Sequence, residues 1–218
     1  MLLPSDIKNN DDLKKYIVLG DIYVQAIGYT EHGFRHANLV SETAYNILKT
    51  LGYKERTCQL AEIAGYIHDI GNVICRKFHA QSGAVMGLNI LISLGFNAEE
   101  SAIIASAIGN HEEDGKPVNP VAAAIIIADK SDVHRNRVMN PDMISTDIHD
   151  RVNFASKNAE IIVSSENKTI TLKLEIDTNI SQVMEYFEIF LERMLACQRA
   201  AFILDCQFKL IINEVSLI

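Results

Sequence analysis

The sequence AEIAGYIHDIG, at residues 61–71, decides the expected fold of this chain. Its apolar residues predict a buried helix over about residues 55–70, with Gly71 just beyond, where a helix C-terminus favours glycine. The adjacent pair His68-Asp69 at the end of this apolar run can place an imidazole nitrogen and a carboxylate oxygen on one cation. The alternative is a helix-terminal pair that makes only local hydrogen bonds, and the pair by itself leaves both interpretations open.

Helices are expected on both sides of this stretch, through about the first 140 residues. Their predicted bounds are about 11–27, 34–51, 79–94 and 98–108. Asn119 and Pro120 supply an N-cap and a first helical residue for one more helix. Residues 121–128 of that helix are apolar on every side, so it is expected to lie buried in the middle of a bundle.

The pattern changes after Pro141. Residues 168–176 alternate between apolar and polar side chains, which predicts a half-buried strand, and residues 159–163 are its expected partner across a turn. Asn179 and Gln182 resemble a capping box that opens a helix to about Leu204, and residues 207–212 are a candidate third strand.

These patterns together predict a mainly α protein with a small α+β unit. Residues 1–147 are the expected helical domain, and residues 148–218 the expected β-β-α-β unit, with an antiparallel sheet of about three strands. So small a sheet has open edges and a limited core of its own. The unit is therefore expected to pack on the helical domain or on a second copy, which makes a homodimer the expected assembly.

The composition narrows the classes of function. The chain has 218 residues, of which 48% are hydrophobic, and its net charge of -8 argues against binding a nucleic-acid polymer. A small anionic ligand stays compatible with that charge, since a bound metal can reverse the local field. No apolar run is long enough to cross a bilayer, no signal peptide is evident, and the four cysteines are scattered. A cytoplasmic protein without a membrane partner is expected.

Asp129 strengthens the metal interpretation of His68-Asp69. It follows the apolar run of the buried helix, where an unpaired carboxylate costs several kcal/mol. Lys130 is expected on a different face of that helix, so a metal explains Asp129 better than a salt bridge does. The candidate ligands occur in the order His, His-Asp, His, His, Asp; they are His36, His68, Asp69, His79, His111 and Asp129. Six ligands suit two ions, with Asp69 as the natural bridge between them.

This ordered set resembles the HD superfamily of metal-dependent phosphohydrolases over about residues 30–137. The matching motifs are His68-Asp69-Ile70-Gly71, His79 with Gly83, His111-Glu112 with Asp114-Gly115, and Ala128-Asp129 with Asp132. They are most similar to the HD-GYP type, but Asn72 replaces that type's lysine, Asn110 its second histidine, and the Gly-Tyr-Pro is absent. The resemblance implies an HD-domain helical bundle with divalent metal ions, expected to be two. Mn or Fe is the expected metal, with Co, Ni, Zn or Mg as alternatives.

The implied activity is hydrolysis of a phosphoester, expected to belong to a nucleotide, by a metal-activated water. Asp69 and His68 are the candidate catalytic residues. The candidate phosphate-binding residues lie near metal ligands in sequence; they are His32, Lys130, Arg135 and Arg137. For each of these four the alternative is an ordinary solvated side chain.

Two other functions remain compatible with the sequence. Some HD-fold enzymes with a similar ligand set hold two irons that activate dioxygen. A sensor that binds a nucleotide without cleaving it, with the C-terminal unit as its interaction module, is the second alternative.

Overall fold

The computed structural model describes residues 2–217, and of Met143 only the backbone. The α-helices are α1 Pro4–Lys8, α2 Asp11–Ala26, α3 Phe34–Thr50, α4 Glu55–Ile67, α5 His79–Leu94, α6 Ala98–Gly109, α7 Pro120–Lys130, α8 Ile148–Ala155 and α9 Val183–Ile203. The strands are β1 Ser156–Ser164, β2 Thr169–Ile176, β3 Gln207–Ile212 and β4 Val215–Ser216. Short 3-10 helices cover Ile70–Val73, Arg135–Arg137 and Pro141–Met143. No helix among the described residues is both long and apolar enough to cross a membrane.

The helices predicted in the first half of the chain are confirmed, and asparagine side chains begin several of them. The side chain of Asn10 accepts hydrogen bonds from the first-turn backbone of α2, and Asn97 and Asn119 do the same for α6 and α7. At the end of α5, Gly95 adopts a φ of 97°, the left-handed conformation that favours glycine.

The predicted extension of α4 to residue 70 is wrong. The helix ends at Ile67, and Asp69 leaves the helical conformation with φ -98° and ψ 5° before the short 3-10 helix begins. This turn directs the His68 and Asp69 side chains toward the same point, as their contacts show below.

Helix α7 lies in the middle of the molecule, as the sequence predicts. Every residue from Val121 to Lys130 is buried. The helix contacts α3, α4, α6 and α9. A helix surrounded in this way can carry polar residues only where partners are provided for them.

The C-terminal elements form one sheet with the strand order β1-β2-β3-β4. Strand β1 pairs antiparallel with β2, β2 pairs parallel with β3, and β3 pairs antiparallel with β4. The strands were predicted in the right places, but the wholly antiparallel sheet of about three strands is wrong. Helix α9 connects β2 to β3 as a crossover, and a crossover connection returns the chain in the same direction.

Two local details of the C-terminal unit also differ from the prediction. Residues 148–155 form α8, a helix that was not predicted from the sequence because its residues show no clear periodicity. Helix α9 begins at Val183, because Glu185 Oε2 accepts the backbone N–H of Gln182 at 3.0 Å. The box that caps this helix is therefore Gln182 with Glu185, three residues later than the predicted start at Asn179.

The C-terminal sheet packs against the helical part of the chain through α9. The alternating residues Ile170, Leu172, Leu174 and Ile176 are buried, and α9 contacts β2, β3 and α7. Strand β1 in addition contacts α3. These contacts make one continuous hydrophobic core. The division of the chain at residue 147 stays a prediction.

Gly71 brings the turn after His68-Asp69 into direct contact with α5. A methyl group on Gly71 would overlap the backbone carbonyl oxygen of His79 and lie 2.5 Å from the backbone nitrogen of Gly83. Only a residue without Cβ allows this approach. The approach places the first turn of α5, and therefore His79, beside Asp69.

We expect Gly71→Ala to lower the free energy of unfolding by about 1–3 kcal/mol, the usual cost of overpacking a close contact. Gly109→Ala is the matched control, because its new methyl group would meet only the Ala84 Cβ at 3.4 Å. Urea denaturation followed by circular dichroism measures both variants. Equal unfolding midpoints for the two would contradict this account of Gly71.

Candidate metal centre

The six predicted metal ligands lie in five helices or directly after them, and they meet in one cluster. His36 lies in α3, His68 and Asp69 follow α4, His79 begins α5, His111 follows α6, and Asp129 is near the end of α7. The four histidines and Asp129 are buried, and the Asp69 side chain is 11% exposed. The structure therefore places all six residues together.

Asp69 stands between two pairs of histidines and turns one oxygen to each pair. Its Oδ1 lies 3.1 Å from His79 Nε2 and 3.6 Å from His111 Nε2. Its Oδ2 lies 3.5 Å from His68 Nε2 and 3.8 Å from His36 Nε2. This is the arrangement in which one carboxylate can bridge two cations.

Asp129 adds a second carboxylate to one of these pairs. Its Oδ1 lies 3.2 Å from His36 Nε2 and 3.8 Å from His68 Nε2. Within each pair the two Nε2 atoms are close together, at 3.2 Å for His36 and His68 and 3.0 Å for His79 and His111.

The hydrogen bonds of the imidazole rings show why this donor set fits cations. The Nδ1 atoms of His68, His79 and His111 lie 2.8, 2.8 and 2.6 Å from backbone carbonyl oxygens of residues 65, 76 and 108. A carbonyl oxygen can only accept, so each Nδ1 carries the hydrogen and each neutral ring has its lone pair on Nε2. Lone pairs 3.0–3.2 Å apart, with carboxylates beside them, repel unless a proton or a cation lies between them. Imidazole with carboxylate is a ligand set for divalent transition metals.

Asp132 orients the fourth ring. Its Oδ2 accepts from His36 Nδ1 at 2.7 Å and from Arg35 Nη2 at 2.7 Å. Burial opposes its charge, but Arg137, His36 and Arg35 outweigh burial and hold the pKa of Asp132 well below its usual range. A carboxylate behind a metal-binding histidine fixes the ring and raises its basicity. The sequence placed Asp132 in the motif without revealing this contact.

The surrounding groups also shift the pKa values of the histidines. Burial lowers the pKa of His68 to about 4, which keeps that ring neutral. Burial opposes protonation of His36 and His111 too, but neighbouring carboxylates outweigh it and raise the pKa of each. The carboxylates thus favour positive charge at the centre of the cluster, whether as protons or as metal ions.

Lys130 does not point away from Asp129, so that expectation is wrong. Its Nζ lies 2.9 Å from Asp129 Oδ2 and 3.0 Å from Glu112 Oε1, and its side chain is buried. A buried ammonium needs acceptors, and the flexible lysine stem lets it reach those beside its own helix. Burial opposes the charge, but the two carboxylates raise the pKa of Lys130. Its role in phosphate binding stays a prediction.

The other predicted phosphate-binding residues differ in their surroundings. Arg137 is buried and donates to the backbone oxygens of Asp132 and Glu31 and to His32 Nε2. His32 Nδ1 lies 2.6 Å from the Thr30 carbonyl oxygen, so its Nε2 is the acceptor for Arg137. Arg135 lies over the Phe154 ring of α8, at 5.5 Å from the centroid. Of these three, His32 and Arg137 line a cavity beside the cluster.

Two residues near the cluster were not among the predicted site residues. Arg76 Nη1 lies 3.3 Å from His79 Nε2 and 3.9 Å from Asp69 Oδ1. Glu112 Oε1 lies 3.5 Å from His111 Nε2 and 3.6 Å from His79 Nε2. The position of Glu112 directly after His111 was a usable signal, whereas nothing local distinguished Arg76 from a surface arginine.

The comparisons with known proteins agree with this geometry. Residues 33–133 match the family model described as HD domain, a stretch that contains all six clustered residues. Over these residues, somewhat less than half of the chain, the sequence matches an HD domain. Such domains are metal-dependent hydrolases as a family, and the His/Asp cluster of this HD domain is a group of residues that could hold metal.

The relatives of the chain are distant. An uncharacterised protein of Methanocaldococcus jannaschii is 26% identical in an alignment 209 residues long that spans 84% of this chain and 80% of that protein. Ribonuclease Y of Aster yellows witches'-broom phytoplasma is 29% identical over 112 residues, or 51% of this chain and 20% of that protein. Ribonuclease Y of Onion yellows phytoplasma is 28% identical with the same coverage. The chain thus matches about a fifth of the length of these ribonucleases.

We expect Asp132→Asn to weaken metal binding about 10- to 100-fold, as is typical when the partner behind a metal-binding histidine is lost. The amide would still fill the space but would hold the His36 ring less strongly. Titration with Mn²⁺ measures the affinity, and circular dichroism confirms that the variant is folded. Asp142→Asn, at an exposed carboxylate, is the control. Unchanged Mn²⁺ affinity in folded Asp132→Asn would refute the role of Asp132.

Proposed function

We propose that the HD domain binds two divalent metal ions and hydrolyses a small phosphoester. The observation that carries the proposal is the placement of Asp69, whose two oxygens face two different histidine pairs. His36, His68 and Asp129 would hold one ion together with Asp69 Oδ2. His79 and His111 would hold the other together with Asp69 Oδ1, and Glu112 is an additional donor on that side. Mn or Fe remains the expected metal.

The residues of the chain provide the rest of what phosphoester hydrolysis requires. When bound, the ions supply a Lewis acid that activates water and offsets charge on a phosphoryl group. Asp69 holds the two halves of the centre together, and neutral His68 keeps its Nε2 lone pair available. Arg76, beside the His79–His111 pair, can donate paired hydrogen bonds to phosphoryl oxygens.

The cavity beside the cluster favours an anionic substrate over a neutral one. Its volume is about 300 Å³, and three arginines line it, namely Arg76, Arg137 and Arg193. A neutral substrate of an oxygenase would not require these cations. The volume lies at the lower end of the range of about 300–1,000 Å³ for ligand pockets, so a nucleotide with one base or a smaller phosphoester is favoured over a cyclic dinucleotide. The nucleotide, the homodimer and the cytoplasmic location stay predictions.

We expect His111→Ala to lose one of two metal ions and Asp69→Ala to lose both. The first change removes a ligand from one half of the cluster, and the second removes the bridge. Elemental analysis after loading with Mn²⁺ and removal of free metal measures the stoichiometry. His134→Ala is the control, because this partly exposed histidine bonds the backbone of Asn136, outside the cluster. A wild-type protein that binds one ion, or a folded Asp69→Ala that retains both, would refute the dinuclear centre.

We expect the metal-loaded protein to release phosphate or a nucleoside monophosphate from members of a phosphoester panel under nitrogen. Hydrolysis consumes water and no dioxygen, so turnover should be unchanged without oxygen. Asp69→Ala should have at most background activity, since it removes the bridging carboxylate. Turnover that requires dioxygen, with no phosphoester cleaved, would replace this proposal with the di-iron oxygenase.

A further inference from the structure

The cavity beside the metal cluster has two walls, and only one of them belongs to the HD domain. The HD wall contributes Arg76 from the matched stretch, with His32 just before that stretch and Arg137 just after it. The opposite wall comes from α8 and α9, which lie outside the matched residues 33–133; its lining residues are Asp147, His149, Asp150, Asn153, Phe190 and Arg193. The C-terminal unit therefore forms part of the cavity next to the cluster.

The HD wall supplies groups suited to the reacting phosphoryl group. Arg76 Nη1 lies 3.3 Å from His79 Nε2, and the His32 ring lies 5.5 Å from the His36 ring. Both cavity residues therefore lie next to proposed metal ligands. Most of the donors of Arg137 are used by Glu31, Asp132 and His32, but its buried Nε has no partner among the described residues.

Arg193 is the cation of the opposite wall, and it is held in position without being fully paired. Its guanidinium lies over the Phe190 ring, 4.4 Å from the centroid, and Phe190 itself is buried in the core. Its Nε lies 3.4 Å from Glu113 Oε1, which is longer than the roughly 2.7–2.9 Å of a strong charge-assisted hydrogen bond. Glu113 is also shared with Lys130, at 3.6 Å. Arg193 therefore has hydrogen-bonding capacity left for a ligand.

Arginine side chains line one part of the cavity, and aspartate side chains line another part. Burial is the largest effect on Arg137 and lowers its pKa. Asp132 raises that pKa, and the nearby positive charge of Arg193 lowers it further. Asp147 and Asp150 lie at the α8 part of the wall, and Asp147 caps α8 by accepting from the backbone of residues 149 and 150. Two neighbouring guanidiniums that line one cavity are stabilised by an anion between or beside them. The carboxylates would repel that anion, so it belongs at the α9 part.

We propose that Arg193 forms a subsite for a second anionic group, so that the substrate is a small phosphoester that also carries a carboxylate or a further phosphate. The proposal rests on the proposed function, which assigns the reacting phosphoryl group to the metals and Arg76. In this arrangement the C-terminal unit selects the substrate, while the HD domain performs the reaction. Arg193 suits this role because its planar fork matches both carboxylate and phosphate oxygens.

Two phosphonates of nearly the same shape test this subsite without any turnover. The first, 4-carboxyphenylphosphonate, carries a second anion, and the second, 4-nitrophenylphosphonate, has a planar neutral group in its place. Calorimetry on the Mn²⁺-loaded protein measures both dissociation constants. We expect the carboxylate ligand to bind wild type about tenfold more tightly, and Arg193→Gln to remove that preference, a change of about 1.4 kcal/mol. Binding of the nitro ligand should change less than about twofold in the variant. Comparison with 1,4-phenylenediphosphonate shows whether a carboxylate or a phosphate is the better second anion.

Arg199→Gln is the matched control, because it makes the same change on the same helix at a residue that bonds the Glu113 backbone outside this cavity. It should retain the wild-type preference, and Arg193→Lys should retain part of it. Equal binding of the two phosphonates by wild type, or equal weakening of both by Arg193→Gln, would overturn the subsite. Binding as expected in a protein that cleaves no phosphoester would refute the proposed function alone. Cleavage of 4-nitrophenyl phosphate without the binding preference would refute the subsite alone.

Discussion

The convergence of four imidazole lone pairs and two carboxylates on one buried point is the constraint on which the rest of this structure depends. Acceptors this close together are unfavourable unless positive charge joins them. The fold holds them in place by using the other side of each ring. The Nδ1 atoms of three histidines donate to backbone carbonyls, and that of His36 donates to Asp132. Two of these carbonyls, at Gly65 and Ile108, lie in the last turns of α4 and α6, where backbone carbonyls have no partner further along the helix.

Around the cluster, further charged side chains form ion pairs with its carboxylates and with one another. Lys130 pairs with Asp129 and Glu112, and Arg35 and Arg137 surround Asp132. Most of these groups are buried, so each removal would leave a charge without its partner in a medium that solvates it poorly. The same network explains why basic residues near the ligands in sequence are not all free to bind substrate. Lys130 and most donors of Arg137 already have partners within the chain, whereas Arg76 and Arg193 retain capacity at the cavity.

The C-terminal sheet is connected to the helices that carry the cluster through α9, which contacts β2, β3 and α7, and through β1, which contacts α3. Helix α9 packs on α7, the helix that carries Asp129, and it places Phe190 and Arg193 in the cavity wall. The β2–α9–β3 crossover is what allows one helix to contact both the sheet and α7.

The sequence by itself determined the local elements and the composition of the centre. Helix periodicity, asparagine caps and strict alternation depend on neighbouring residues, so they could be recognised without tertiary contacts. The six clustered residues could be named because ligand-type side chains occurred in HD order, with Asp129 in a helix too apolar for a bare charge. Only the tertiary structure decided that β2 and β3 are parallel, that Lys130 reaches Glu112 beside Asp129, and that Arg76 and Arg193 lie near the site. Each of these depends on which distant segments meet, and pairwise contacts between segments far apart in sequence leave no periodic pattern in either of them.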